Sequence, residues 1–148
     1  MKLNDDGYLL IIGFEGLKLK PYLCSARIPT IGYGNTYYSD GKRVTMLDKP
    51  ITKEVAFTMF KEIADRFALS VNRYLKKTVT QNQFNSLVSF AYNIGTGSFA
   101  SSTLLKKVNI NPNDPSIKTE FLKWNKAKGE VVKGLTNRRN KEQENYFS

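Results

Sequence analysis

Between Asp6 and Asp40 the chain carries a single carboxylate, Glu15, set in the stretch LLIIGFEGLKLKPYLCSARIPTIGYGNTYY (residues 9–38). A charge beside Leu, Ile and Phe is costly unless it is paired or used. A carboxyl in such surroundings keeps its proton, because desolvation disfavours the anion. That is the property a general acid needs. The sequence holds no His and one Cys, Cys24. Without His there are no Ser/His or Cys/His nucleophile pairs, and the commonest zinc ligand is missing. Any acid–base chemistry rests on Asp, Glu, Tyr, Lys or that one thiol, and no metal or cofactor is expected.

The elements that must position Glu15 follow from the local pattern. Asp5 or Asp6 is expected to cap a first helix over residues 7–18, with Leu9, Leu10, Ile12 and Leu17 inward and Pro21 ending it. From Tyr22 to Val44, glycines and Pro29 punctuate short Thr/Ile/Tyr pieces, and SDGKR (residues 39–43) reads as a hairpin turn. A two- or three-stranded antiparallel sheet is predicted there. Thr52 caps a long helix to about Leu75, with apolar residues at three- and four-residue spacing. Thr80 and Gln83 form a capping box for a helix to Ile94, apolar nearly all round and hence central. Asp114-Pro115 starts a segment through Trp124, and a last helix follows Gly134. The fold class is α+β, one domain of two lobes: a sheet lobe at about 19–51, a helical lobe of 1–18 and 76–148, and a connecting helix at 52–75.

GFEGLKLKPYLCSARIPTIGYGNT (residues 13–36) resembles the phage-type lysozymes, glycoside hydrolase family 24, the T4-like endolysins. The family motif is Glu, eight residues, Asp or Cys, five residues, Thr, which falls on Glu15, Cys24 and Thr30. QFNSLVSFAYNIGTGSFASSTLLKKVN (residues 83–109) is similar to the family's central helix pair, and GLTNRRNKE (residues 134–142) to its closing segment. The resemblance implies a lysozyme-like fold and hydrolysis of peptidoglycan with inversion, Glu15 acting as proton donor. Inverting pairs leave about 6.5–9.5 Å for the attacking water. Cys24 stands where the family has Asp or Cys: as thiolate it would orient or deprotonate water, and Thr30 would hold that water. Tyr33, Tyr37 and Tyr38 are candidates to stack on sugar rings, with Thr36 in the same segment. Tyr92 and Asn93 match cleft-facing positions, Asn93 suited to an N-acetyl group. Arg138 or Arg139 is expected to pair with Glu15.

Composition narrows the rivals. At 148 residues and 41% hydrophobic, the chain has the length and apolar content of one folded domain. A net charge of +10 favours a polyanionic partner. Residues 105–148 hold ten basic and five acidic groups, against six and five in residues 1–48. The expected partner is bacterial peptidoglycan, with anionic outer-membrane or wall polymers beside it. Nucleic acid is disfavoured, because no binding motif is present and the cations are dispersed. A monomer made in the host cytoplasm without signal peptide, and acting on the wall after membrane permeabilisation, is the expected form. The alternatives are a lytic transglycosylase on the same bond, which needs one acid–base glutamate, and a non-enzymatic cationic binder of polyanions or membranes.

Overall fold

Asn4 starts the first helix. The computed structural model, which describes residues 1–148, places α1 at Asp5–Ile12. The Asn4 Oδ1 accepts from Gly7 N at 3.0 Å and from Asn85 Nδ2 at 2.8 Å. The cap is thus Asn4, not Asp5 or Asp6, and the helix stops well short of residue 18. Gly13 and Gly16 flank its end, and Glu15 N closes a turn onto Ile12 O at 3.1 Å. Pro21 lies in a strand and ends nothing. The inward face is Gly7, Tyr8 and Ile11, whereas Leu9 is 60% exposed and Leu10, Ile12 and Leu17 are half-buried. A Cβ on Gly7 would stand 2.5 Å from Asn85 Oδ1, so only glycine lets α1 approach so closely.

The chain divides into two units, Ile12–Arg66 and Met1–Ile11 with Phe67–Ser148. In the first, β1 (Lys18–Leu23) pairs antiparallel with β2 (Pro29–Gly32), Tyr22 opposite Thr30 and Leu23 opposite Pro29. The sheet has two strands; isolated bridges Ile31–Asn35 and Tyr37–Arg43 continue the meander without a third. The expected turn at 39–43 is present, with Gly41 at φ +87°. Ile31, Val44 and Met59 form the buried centre, flanked by Tyr38 and Ile51. Asp48 accepts from Tyr38 Oη at 2.7 Å, from Thr45 N at 2.8 Å and from Thr45 Oγ1 at 2.6 Å. These bonds hold the carboxyl below its ordinary range. Helix α2 (Lys53–Tyr74) is capped by Thr52 as expected, and at 22 residues it is about 33 Å long.

The second unit is built on α3 (Gln81–Ile94), whose capping box of Thr80 and Gln83 is present and whose residues 83–91 are all buried. Two short helices follow within the span likened to the family's central helix pair, α4 (Thr96–Ser101) and α5 (Thr103–Ile110), the latter capped by Ser102 Oγ. The segment expected from Asp114-Pro115 is shorter, α6 at Ile117–Leu122, because Asp114 bonds Ser116 in a turn before the helix begins. An exposed hairpin, β3 (Lys126–Ala127) with β4 (Glu130–Val131), leads to α7 (Lys133–Tyr146), which includes Gly134. Phe90 packs edge-on against Phe99, Phe121 and Trp124. No helix is long and apolar enough to cross a membrane.

Glu142 ties α7 to α3. It is fully buried, receiving Arg139 Nη1 at 2.6 Å, Arg138 Nε at 3.2 Å and Ser89 Oγ at 2.6 Å. Removing one member of such a set leaves buried charge uncompensated, at a cost of about 3–5 kcal/mol. Glu142→Ala should therefore lose about 3–5 kcal/mol of unfolding free energy in urea titration. A loss below about 0.5 kcal/mol, typical of surface sites, would show that the arginines find other partners.

Candidate active site

The three residues of the Glu/Cys/Thr spacing lie in one unit, around the β1–β2 hairpin. Glu15 sits on the turn between α1 and β1, half-buried and outside any helix, so the expected apolar helical setting is corrected. The chain then runs up β1 and reverses over Cys24–Ile28. That reversal is closed by Cys24 N to Ile28 O at 3.2 Å and Arg27 N to Cys24 O at 2.8 Å. It needs a left-handed residue, and Arg27 supplies it at φ +59°. β2 then returns Thr30, nearly fully buried, to the level of Tyr22.

The electrostatics join these groups. The Cys24 thiol is held below its ordinary value by amide hydrogen bonds from Ile28 and Ala26 and by the Thr30 hydroxyl. All three favour the thiolate. Thr30 Oγ1 also lies 2.8 Å from Ile28 O, to which it donates. A hydroxyl has one proton, so Thr30 cannot donate to that carbonyl and to the sulfur at once. Tyr22 is pushed above its ordinary value, first by burial and then by the charges of Cys24 and Glu15. It therefore stands within electrostatic reach of both. Sequence reading passed over Tyr22, which stands in β1 two residues before Cys24.

The remaining candidates are scattered by comparison. Tyr33 is buried, its ring edge-on to Phe60 at 5.8 Å between centroids, so it is core and offers little face to a sugar. Thr36 is half-buried and lines a surface cavity of about 390 Å³ with Tyr37 and Tyr38. The Tyr38 hydroxyl is committed to Asp48, whose charge and the burial together push its pKa up to about 12. Tyr37 is exposed, its ring under the Arg43 guanidinium. In the other unit, Tyr92 packs against Phe67, and Asn93 Oδ1 accepts from Arg139 Nη2. Asn93 is thus fixed by a side chain, and the end of α3 is capped at Gly95 instead. Arg139 has each nitrogen type engaged, with Glu142, Asn93 and Trp124 O. Arg138 bonds Glu142 and Ser89 O. No trio of Cys, Asp and Glu is placed to hold a metal ion.

Residues 12–142 match the family described as phage lysozyme, a span that contains Glu15, Cys24 and Thr30. The endolysin of Bacillus phage PZA is 43% identical over 145 residues, which is 97% of this chain and 54% of that protein. The chain therefore spans about half the length of that curated relative. Among solved structures, the endolysin from Escherichia coli O157:H7 phage FAHEc1 superposes with a TM-score of 0.91 at 39% identity, covering 100% of this chain and 94% of the other. The muramidase domain of SpmX from Asticaccaulis excentricus superposes with a TM-score of 0.82 at 29% identity, covering 99% and 98%. With a family match over most of its length and the same fold in the solved relatives, the chain belongs to the phage lysozyme family.

Proposed function

We propose that the chain is an endolysin that hydrolyses the β-1,4 bond between N-acetylmuramic acid and N-acetylglucosamine in bacterial peptidoglycan, for host cell lysis. The observation that carries this reading is the gathering of Glu15, Cys24 and Thr30 around one hairpin, inside the region matched to the phage lysozyme family. Relatives named endolysin and muramidase support it. Glu15 gives its proton to the leaving glycosidic oxygen. Water attacks the anomeric carbon from the opposite face and inverts it. Cys24 as thiolate takes one proton of that water, and the Thr30 hydroxyl oxygen accepts a hydrogen bond from the other. Thr36, Tyr92 and Asn93 contact the glycan. Because Asn93 Oδ1 is taken by Arg139, its amide nitrogen is the group left to face an N-acetyl carbonyl. The enzyme acts as a monomer, made in the cytoplasm and reaching the wall after the membrane is permeabilised.

A second reading, lytic transglycosylation, is favoured by one observation: Glu15 is the only carboxylate between Asp6 and Asp40. Mass spectrometry of digested peptidoglycan separates the two. Reducing ends mark hydrolysis, and anhydro-muramic ends mark transglycosylation.

Three measurements test the assignment. Glu15→Gln should lower the rate of wall hydrolysis by about 10²–10⁴-fold without unfolding the protein. A rate within a few-fold of the parent chain would sink the assignment. Cys24→Ala should lose much of the activity and Cys24→Asp should keep it. Since the thiol pKa is lowered, the rising limb of the pH–rate profile should lie below the free-thiol value of about 8.5 and move lower still in Cys24→Asp. An unchanged profile in Cys24→Ala would make that residue packing alone. Lys118, Lys126 and Lys128 are exposed, and reversing their charges together should weaken wall binding and flatten its salt dependence. Binding that does not vary with salt in the parent chain would leave these lysines as ordinary solvated surface.

A further inference from the structure

In the hydrolysis proposed above, the attacking water has two protons and two lone pairs to place. One proton goes to Cys24, the other to Thr30 Oγ1, and one lone pair is directed at the anomeric carbon. The second lone pair calls for a donor, and the bend itself has none to give. Thr30 has a single proton, which lies on Ile28 O at 2.8 Å or on the Cys24 sulfur. The amides of Ile28 and Ala26 are turned to the sulfur. Tyr22 is the cross-strand partner of Thr30 in the same hairpin. Residues directly opposite project from one face, with Cβ atoms about 4.5–5.5 Å apart. The Tyr22 ring is half-buried, and Lys18 Nζ stands 5.1 Å from its centroid, a cation–π contact that holds it in place. Its hydroxyl makes no hydrogen bond within the protein, and since no buried polar side-chain atom lacks a partner, that hydroxyl opens to solvent. The hydroxyls of Tyr37 and Tyr38 differ, the one accepting from Arg43 Nε at 3.1 Å and the other donating to Asp48 at 2.7 Å.

Burial, and after it the charges of Cys24 and Glu15, hold the Tyr22 phenol above its ordinary value. A raised phenol keeps its proton to higher pH, so it stays a neutral donor across the range in which a Cys24 thiolate exists beside a protonated Glu15. We infer that Tyr22 is a further catalytic residue, whose phenol donates a hydrogen bond to the oxygen of the attacking water and, with Cys24 and Thr30, aims that water at the anomeric carbon. This rests on the hydrolase reading above. No bond is made or broken at Tyr22: the proton of the water passes to Cys24, and the phenol keeps its own. Lytic transglycosylation has no attacking water, because a hydroxyl of the muramic acid itself closes the anhydro ring. The role of Tyr22 therefore belongs to hydrolysis alone.

The experiment uses the full chain and soluble glycan fragments of alternating N-acetylglucosamine and N-acetylmuramic acid, with reducing ends counted to give kcat and KM. Tyr22→Phe removes one oxygen and leaves the ring under Lys18, so its melting temperature should match the parent. Its kcat should fall about tenfold, as expected for one hydrogen bond made to the reacting water. Its KM should change by less than about twofold, because the glycan itself keeps its contacts. A second form, with 3,5-difluorotyrosine at position 22, keeps the hydroxyl but makes it more acidic. Its rate relative to the parent should be near one at low pH and fall as the fluorinated phenol ionises, whereas the ratio for Tyr22→Phe should stay flat with pH. A ring that only supports the fold gives neither the kcat-specific loss nor the pH-dependent ratio. The fluorinated form also carries the test if Tyr22→Phe does not fold. A kcat within about twofold of the parent in Tyr22→Phe, a loss that lies wholly in KM, or a fluorotyrosine ratio that does not vary with pH would overturn the inference. The two readings fail separately. A parent chain that releases reducing ends while Tyr22→Phe keeps its kcat rejects this role and keeps the hydrolase. A parent chain that yields anhydro ends alone, or cleaves nothing, removes the hydrolase reading and the water site with it.

Discussion

Glu142 is a carboxylate with no access to water, and such a group survives only where donors meet both of its oxygens. Two arginines and a serine hydroxyl provide them, so α7 can dock on α3 in one register alone. The constraint spreads outward from there. Arg139, fixed by Glu142, lies across the face of Phe90 at 5.0 Å and grips Asn93 and the Trp124 carbonyl. The aromatic cluster around Phe90 and the end of α3 are thereby set by the same charge that sets α7. Replacing the whole set by apolar residues of equal volume would be thermodynamically acceptable. What would be lost is the orientation of Asn93.

The Ile12–Arg66 unit achieves the same end with backbone groups. Its hairpin places a thiol, a hydroxyl and two amides at one bend, and the thiol gains acidity from neutral donors. The groups that lower it are amides and a hydroxyl, so its acidity depends less on ionic strength than that of a Cys–Lys or Cys–Arg pair would.

Legibility in the sequence followed the strength of local signals. Helices α2 and α3 could be read to within a residue or two because their apolar periodicity agrees with their caps, Thr52 and the Thr80/Gln83 pair. Helix α1 was misread because an apolar run continues past Ile12, while the two glycines and the pairing of β1 with β2 decide against helix. Helices α4 and α5 were legible only through the resemblance over residues 83–109, because the small polar residues of GTGSFASSTLLKK carry little helical propensity; burial of Phe99, Leu104, Leu105 and Val108 supplies what propensity lacks. The spacing of Glu15, Cys24 and Thr30 was legible through family resemblance. The burial of Tyr33 against Phe60 is tertiary and left no mark in the sequence. Glu142 looked like any polar residue of a charged helix, and nothing in one sequence marks a carboxylate that two neighbours will surround.

Arg27 adopts a conformation that nature usually assigns to glycine or asparagine. Left-handed backbone at a residue with a Cβ costs about 1–2 kcal/mol, and here it falls between Cys24 and Thr30. A glycine would relieve that cost and would be expected to raise the stability of the folded chain. It would also widen the conformational freedom of the bend whose amides face the sulfur. The loop thus stands where thermostability and preorganisation pull in opposite directions. Any stabilised version of this fold obtained by consensus or design would, at position 27, exchange acidity of the thiol for a higher melting point.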